Sequence, residues 1–264
     1  MRPDPINDIL ACPVCRTAIA IADSDTCVTC ASCRSSFSKR PFAWNFIPDV
    51  VDMASPMWQA WQQLQGNGMV SYRTDPDRNL SVGERKDCRQ FAQFCNYRGL
   101  VLDVGCGPQP WPAYFDTDKG AVFIGVDPVA GESPTDYLKF QALGEYLPFR
   151  DDAFDHVLFS TTLDHVVDPF VALREAVRVC RKSGELDVWL GEKHPDAPRP
   201  ATSPAWYAQL KKPDLAEDVF HVKRLTAAEF RESLVKPVGL AIVETASHPV
   251  DEYRTNHFFR LKIM

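Results

Sequence analysis

LVLDVGCGP, residues 100–108, is the stretch on which the rest of the chain turns. Leu100 to Val104 form an apolar run interrupted only by Asp103, with the length and composition of a strand buried on both faces. Gly105 and Gly107 then let the backbone turn tightly at the strand's carboxyl end and let a ligand approach the main chain closely. In an open α/β sheet, ligands bind at that end. The spacing is not GxGxxG, so a dinucleotide pyrophosphate is not the natural occupant. It is also not GxxxxGK[ST], which excludes a phosphate-cradling loop. Asp103, just before the turn, is badly placed for a polyphosphate and well placed for a cation.

Outward from this turn the chain repeats the pattern. AVFIGV (121–126), DHVLFS (155–160) and ELDVWL (185–190) are further strand-length apolar runs. Strands of this kind separated by helices predict a parallel sheet covered on both faces. Asp127 ends the second run, 24 residues after Asp103, where an acid can accept both ribose hydroxyls of an adenosine. One helix is well marked: Asp168 is its N-cap and Pro169 its first residue. Leu173, Ala176, Val177 and Cys180 recur on one face, and Gly184 follows its end. Thr226 and Glu229 read as a capping box opening a later helix.

The 264 residues suit one large domain, or one ordinary domain plus a small one, and the 45% hydrophobic content is enough for a sizeable core. Lys and Arg number 29 against 35 Asp and Glu, a net charge of -6. A strongly basic protein is excluded, and with it the simplest electrostatic case for nucleic-acid binding. The apolar runs are too short for membrane insertion, and MRPDPINDIL lacks the long apolar run of a secretory signal; a cytoplasmic location is the expectation.

Five of the nine cysteines fall between Cys12 and Cys33. CPVC and CASC, fourteen residues apart, can wrap four thiolates round Zn²⁺. So short a segment buries too little to fold without such a metal. Cys27 and Cys30 form an overlapping CxxC, so Cys27 stands as an alternative ligand. Cys30 and Cys33 are preferred because Val28 and Phe37 then flank the knuckle as in a short β-hairpin. Between this region and residue 98, Trp58, Trp61 and Leu64 mark one face of a short helix that QGNG (65–68) is expected to break. Tyr72 and Arg73 then fall in a loop from which they could reach a ligand, and a second helix is expected over about 84–97.

ILACPVC, VTCASCRSSF and FIPD resemble a small zinc-ribbon family found fused to, or partnered with, methyltransferases. The resemblance carries over Cys12, Cys15, Cys30 and Cys33 as ligands of a closed, structural Zn²⁺ site. VLDVGCGP, GVDP, GEYLPFRDDAFDHVLFSTTLDHV and LREAVRVCRKSGEL resemble the class I S-adenosylmethionine-dependent methyltransferases over residues 98 to 190. The resemblance implies a doubly wound, Rossmann-like, mostly parallel α/β sheet of seven strands. AIVETAS and NHFFRLKI would be its antiparallel end hairpin. Residues 1–50 would be the ribbon, 51–97 a helical linker or cap, and 98–264 the methyltransferase domain with a substrate-side insertion at 191–222. It places Gly105, Cys106 and Gly107 along the methionine part of S-adenosyl-L-methionine, Asp103 near its ammonium group, and Asp127 and Pro128 at the ribose. Glu145, Tyr146 and Leu147 would lie beside the adenine, and Ser160 and Thr161 beside the transferring methyl. Many relatives carry an Asp where this chain has Leu143, so adenine recognition is expected to rest on Glu145 or on main-chain groups.

Methyl transfer to a hydroxyl needs proximity, alignment and a base. His165 follows the DHVLFS strand (155–160) on the loop facing the cofactor and is the candidate base. Asp164 could orient it or bind a divalent metal. His194 and His221 flank the Pro-rich insertion, with Trp206 and Tyr207 between them, and are substrate-side candidates. Three readings follow. The favoured one is O-methylation of a small molecule or glycan, in keeping with an acidic chain and an aromatic insertion. The first alternative is a ribosomal RNA guanine N-methyltransferase gripping RNA through the ribbon, against which the charge counts. The second is a catalytically inactive binding protein of the same fold.

Overall fold

The apolar runs become strands where their composition places them, in a computed structural model that describes residues 6–76, 85–112, 114–115, 120–131, 134–197 and 205–264. Three short strands come first, β1 (Cys27–Thr29), β2 (Ser36–Lys39) and β3 (Trp44–Asn45). Helices α1 (Pro56–Thr74) and α2 (Lys86–Phe94) follow. Then come β4 (Leu100–Val104), β5 (Val122–Asp127), β6 (Leu138–Gln141) and β7 (Phe154–Ser160). Helix α3 (Pro169–Val179) leads to β8 (Cys180–Lys193), and β9 (Leu240–Asp251) and β10 (Arg254–Ile263) close the chain.

All the strands belong to one ten-stranded sheet in the order β1-β2-β3-β6-β5-β4-β7-β8-β10-β9. From β6 to β9 this is the expected seven-stranded, mostly parallel sheet, with β10 antiparallel to both β8 and β9. The three N-terminal strands extend it: β3 pairs parallel with β6 through Trp44 opposite Phe140 and Asn45 opposite Gln141.

Alternation along each strand sorts the core onto the two faces of the sheet. Leu102, Val104, Ile124, Val126, Val157 and Phe159 join one cluster. Val101, Phe123 and Leu158 join the other, with Phe91 of α2, Trp189 and Phe258. The first cluster also takes in Leu10, Cys12, Phe37 and Phe46 from the cysteine-rich segment. Phe46 is fully buried, with its ring 5.1 Å from Phe37 and 5.6 Å from Phe140. Polar ties reinforce this seam. Ala11 N–H donates to Pro148 O at 3.0 Å, Arg150 N–H to Ile9 O at 2.8 Å, and Arg16 pairs with Glu175 at 3.1 Å.

Helix α1 departs from expectation: it runs straight through QGNG, so Tyr72 and Arg73 are helical. Asn67 explains the continuity. It is buried, and its amide donates to Lys211 O at 2.9 Å and Val219 O at 2.7 Å, while its oxygen accepts from Gln63 at 3.0 Å. Tertiary hydrogen bonds outweigh the weak helix propensity of two glycines. Helix α3 opens as expected, with Asp168 accepting from Phe170 and Val171 N–H, but it ends at Val179 rather than just before Gly184. At Gly184 a Cβ would lie 2.6 Å from Cys180 Sγ, so this glycine serves a close approach within β8 instead of a helix cap. The capping box at Thr226 and Glu229 is present.

Candidate active site

The strands β4, β5 and β7 end beneath α1, and a cavity of about 1180 Å³, including its open mouth, lies between them. The glycine turn forms its floor. Gly105 and Gly107 have φ of +80° and +68°, and a Cβ on either would meet Thr162 at 2.0 Å or Gln109 at 2.4 Å. Only glycine fits both positions. Gly105 N–H donates to Val126 O at 2.8 Å. Asp127 accepts Gly107 N–H at 2.8 Å through Oδ2 and Val129 N–H at 2.9 Å through Oδ1. From β6, the buried ammonium of Lys139 donates to Gly107 O at 2.8 Å and Gln109 O at 2.6 Å, pinning the turn from below.

Asp103 lies fully buried behind the turn. Its Oδ2 accepts the Tyr114 hydroxyl at 2.8 Å, and its Oδ1 has no hydrogen-bond partner among the described residues. Burial pushes its carboxyl up to about 7, against the lowering effect of Tyr114 and of the Lys139 charge. A buried carboxyl with an orphaned oxygen at a glycine turn fits a cationic group of a ligand.

The structure places the expected cofactor residues unevenly. Gly105, Gly107, Asp127, Pro128, Glu145, Ser160 and Thr161 line the cavity. Thr161 does so in a left-handed conformation, φ 56°, rare for a β-branched residue and a mark of local strain. Cys106 does not line the cavity: it is buried behind the turn, close against Gly125. Leu147 is buried in the core with its N–H on Glu175 at 3.2 Å, and Tyr146 faces a different hollow beside Val14 and Arg16. A tight turn, with Leu143 bridged to Tyr146, explains this; Ala142, Leu143, Gly144 and Glu145 face the cavity in their place. Glu145 Oε1 already accepts Val167 N–H at 2.8 Å and Asp168 N–H at 3.0 Å.

Opposite the glycine turn the wall is aromatic: Trp61, Tyr72, Trp189 and Phe220, with Arg85 among them. Burial drives the Tyr72 hydroxyl up to about 12. Tyr72 reaches the cavity as the sequence allowed, though from a helix rather than a loop, whereas Arg85, Lys139 and Trp189 were missed; a lone lysine inside the apolar run LKF was the one available signal. His165 lines the same wall, and Trp61 Nε1 donates to its carbonyl at 2.9 Å. Burial pulls the His165 imidazole below its ordinary range, against the raising effect of Asp164. His221 stacks on it, ring centroids 4.3 Å apart, and Asp164 lies beside both. His194 stands apart: it is exposed, accepts Asp196 N–H at 3.2 Å and does not line the cavity. Tyr207 packs on Phe220 at 5.9 Å, while 198–204 of the Pro-rich insertion lie outside the described residues.

At the N-terminus, Cys12, Cys15, Cys30 and Cys33 bring their sulfurs within 4.8 Å of one another. The Cys12–Cys33 and Cys15–Cys30 pairs are 3.5 and 3.4 Å apart, near the roughly 3.8 Å edge of a tetrahedral zinc–thiolate site. Cys27 is exposed on β1 and outside the group. Among the described residues no helix is long and apolar enough to cross a membrane.

The family model described as "Methyltransferase domain" matches residues 102–187. An uncharacterized methyltransferase of Mycolicibacterium gilvum (strain PYR-GCK) is 34% identical over 138 residues, covering 45% of this chain and 54% of that protein. Methyltransferase GfsG of Streptomyces halstedii is 30% identical over 158 residues, 54% of this chain and 56% of that one. The chain thus spans about half the length of these curated relatives. The crystal structure of Burkholderia thailandensis 1,6-didemethyltoxoflavin-N1-methyltransferase, with 1,6-didemethyltoxoflavin and S-adenosylhomocysteine bound, superposes with a TM-score of 0.54 at 15% identity. The match covers 88% of this chain and 98% of that one. The glycine turn, set between an orphaned acid and a second acid, thus lies within a stretch, residues 102–187, that matches a methyltransferase domain, and the sheet shares the fold of the Burkholderia enzyme.

Proposed function

We propose that the protein methylates a hydroxyl of a small molecule or glycan, with S-adenosyl-L-methionine as donor. The observation that carries this reading is the two-ended cavity. One end has the glycine turn and acids of a cofactor site, and the other an aromatic wall with a histidine. The cofactor, when bound, supplies an electrophilic methyl and a sulfur leaving group. Asp127 holds the ribose, and Asp103, buried behind Gly105 and off the cavity wall, acts on the ammonium group from beneath the turn. Leu143 and Ala142 offer the adenine an apolar surface, and Glu145 acts by holding the 167–168 backbone in place. Trp61, Tyr72 and Trp189 exclude water and provide flat faces for a ring or sugar. The residues of the two ends would hold the acceptor oxygen in line with the methyl and the sulfur that would leave with the bonding pair. The hydroxyl proton leaves at the Asp164–His165–His221 end.

The four ribbon cysteines hold a structural Zn²⁺, with no open position for chemistry. The test of the acceptor class is transfer of labelled methyl groups into a cell extract, divided by nuclease digestion and size. Label in nuclease-resistant, low-mass or glycan material is expected. Label released by ribonuclease would overturn the reading.

A further inference from the structure

We infer that Asp164, His165 and His221 form a second metal site, for a divalent first-row transition ion, at the acceptor end of the cavity. His165 Nδ1 lies 3.0 Å from Phe220 O, which can only accept, so Nδ1 carries the hydrogen. His221 Nδ1 lies 2.7 and 2.9 Å from the two oxygens of Asp218, which fixes its hydrogen there as well. On both rings Nε2 is therefore the nitrogen left to ligate a metal. Both Nε2 atoms face one carboxylate: His221 Nε2 is 3.6 Å from Asp164 Oδ2 and His165 Nε2 is 3.9 Å from Oδ1. These separations are too long for hydrogen bonds. Asp164 is 8% exposed, and its Oδ1 has no hydrogen-bond partner among the described residues. Two ring nitrogens and a buried carboxylate thus converge with no hydrogen bond among them, an arrangement that a cation completes.

The geometry is close to what an ion needs. The three ligand atoms lie within 4.8 Å of one another. Bonds of about 2.0–2.1 Å in a tetrahedral site put ligand atoms about 3.4 Å apart, so the 3.6 and 3.9 Å separations from Asp164 to the two rings need only small side-chain movements. Two imidazoles and one carboxylate suit zinc, iron, manganese or cobalt better than magnesium or calcium, which prefer all-oxygen sites. The outer contacts match as well. A metal-bound histidine usually donates its other N–H to a carboxylate or a backbone carbonyl, the roles filled here by Asp218 and Phe220. Arg224 holds Asp218 in turn at 2.8 Å. Three protein ligands leave positions open, and His165 borders the cavity where the acceptor would sit. Only the use of the ion, to bind and acidify an acceptor hydroxyl, rests on the methyl-transfer reading; its binding does not.

The experiment is a titration of the full chain, its ribbon zinc in place, with Co²⁺ followed by visible absorption. Saturation at one equivalent with the weak bands of nitrogen and oxygen ligation is expected; thiolate charge-transfer bands would report exchange into the ribbon instead. Asp164→Asn should abolish the nitrogen–oxygen signal while S-adenosylhomocysteine binding, measured by calorimetry, persists as proof of fold. Asp218→Asn, which keeps all three ligands, should weaken Co²⁺ binding about 10- to 100-fold. No uptake by the wild-type chain, or uptake unchanged in Asp164→Asn, would overturn the site. Cobalt binding in a chain that fails to bind S-adenosylhomocysteine would uphold the site and sink the methyltransferase reading instead.

Discussion

Asp103 is a residue whose two duties oppose each other. Its carboxyl titrates near 3.8 in an unfolded chain and is pushed up to about 7 by burial in the fold. Between those values the native state keeps a proton that the unfolded state has lost, so this residue lowers stability as pH rises through that window. Asp103→Asn should therefore raise the melting temperature more at about pH 8 than at about pH 5. The same variant should weaken cofactor binding at the higher pH, where the wild-type carboxylate is charged; calorimetry across that range checks both halves. Asp127→Ala removes a charged acceptor and should weaken S-adenosylhomocysteine binding about 10- to 100-fold. Unchanged affinity would remove the ribose assignment. At this scale the site was legible where chemistry dictates residue type: two glycines at positive φ, two acids at strand ends, a histidine after β7. It was illegible at Tyr146 and Leu147, because a motif names neighbours in sequence while a tight turn at Leu143 sends them to different sides. Trp189 reaches the cavity only through packing, which no local pattern encodes.

Helix α1 is the element that joins the two loops of the acceptor end. Its Trp61 holds the His165 carbonyl, and its Asn67 holds Lys211 and Val219. Asn67→Ala removes the donor to two partly buried carbonyls and should cost about 1–3 kcal/mol in chemical unfolding. Its kinetic signature should be a higher KM for the acceptor with little change in cofactor affinity. An unaltered acceptor KM would show that the loop is held by other contacts. Helix α1 was half legible. Its aromatic face was readable from Trp58, Trp61 and Leu64, but two glycines read as a break because the partner of Asn67 lies far along the chain. The strands β4, β5 and β7 were readable from apolar runs alone, whereas β6, with a lysine and a glutamine among its four residues, was not.

On the scale of the whole molecule, the N-terminal segment and the larger sheet share strands and a core. The pairing of β3 with β6 involves too few residues to leave a pattern in the sequence, where cysteine spacing spoke only of a separate ribbon. Phe46→Ala should cost about 3–5 kcal/mol in equilibrium unfolding, since its ring fills space between both parts. Cys30→Ser, by loosening the metal, should lower the melting temperature of the chain in one transition. Two separated transitions, with the later one at the wild-type temperature, would show that the parts fold independently.

The position of β3 also bears on how the protein behaves in company. Stripped of β3, strand β6 would present a row of unpaired N–H and C=O groups, the template on which chains stack edge to edge. With β3 in place, the sheet ends instead at β1, three residues long and polar at its ends. Loss of the ribbon's metal would therefore be felt first as aggregation, at temperatures where the rest of the sheet is still folded, and light scattering would detect it before circular dichroism did.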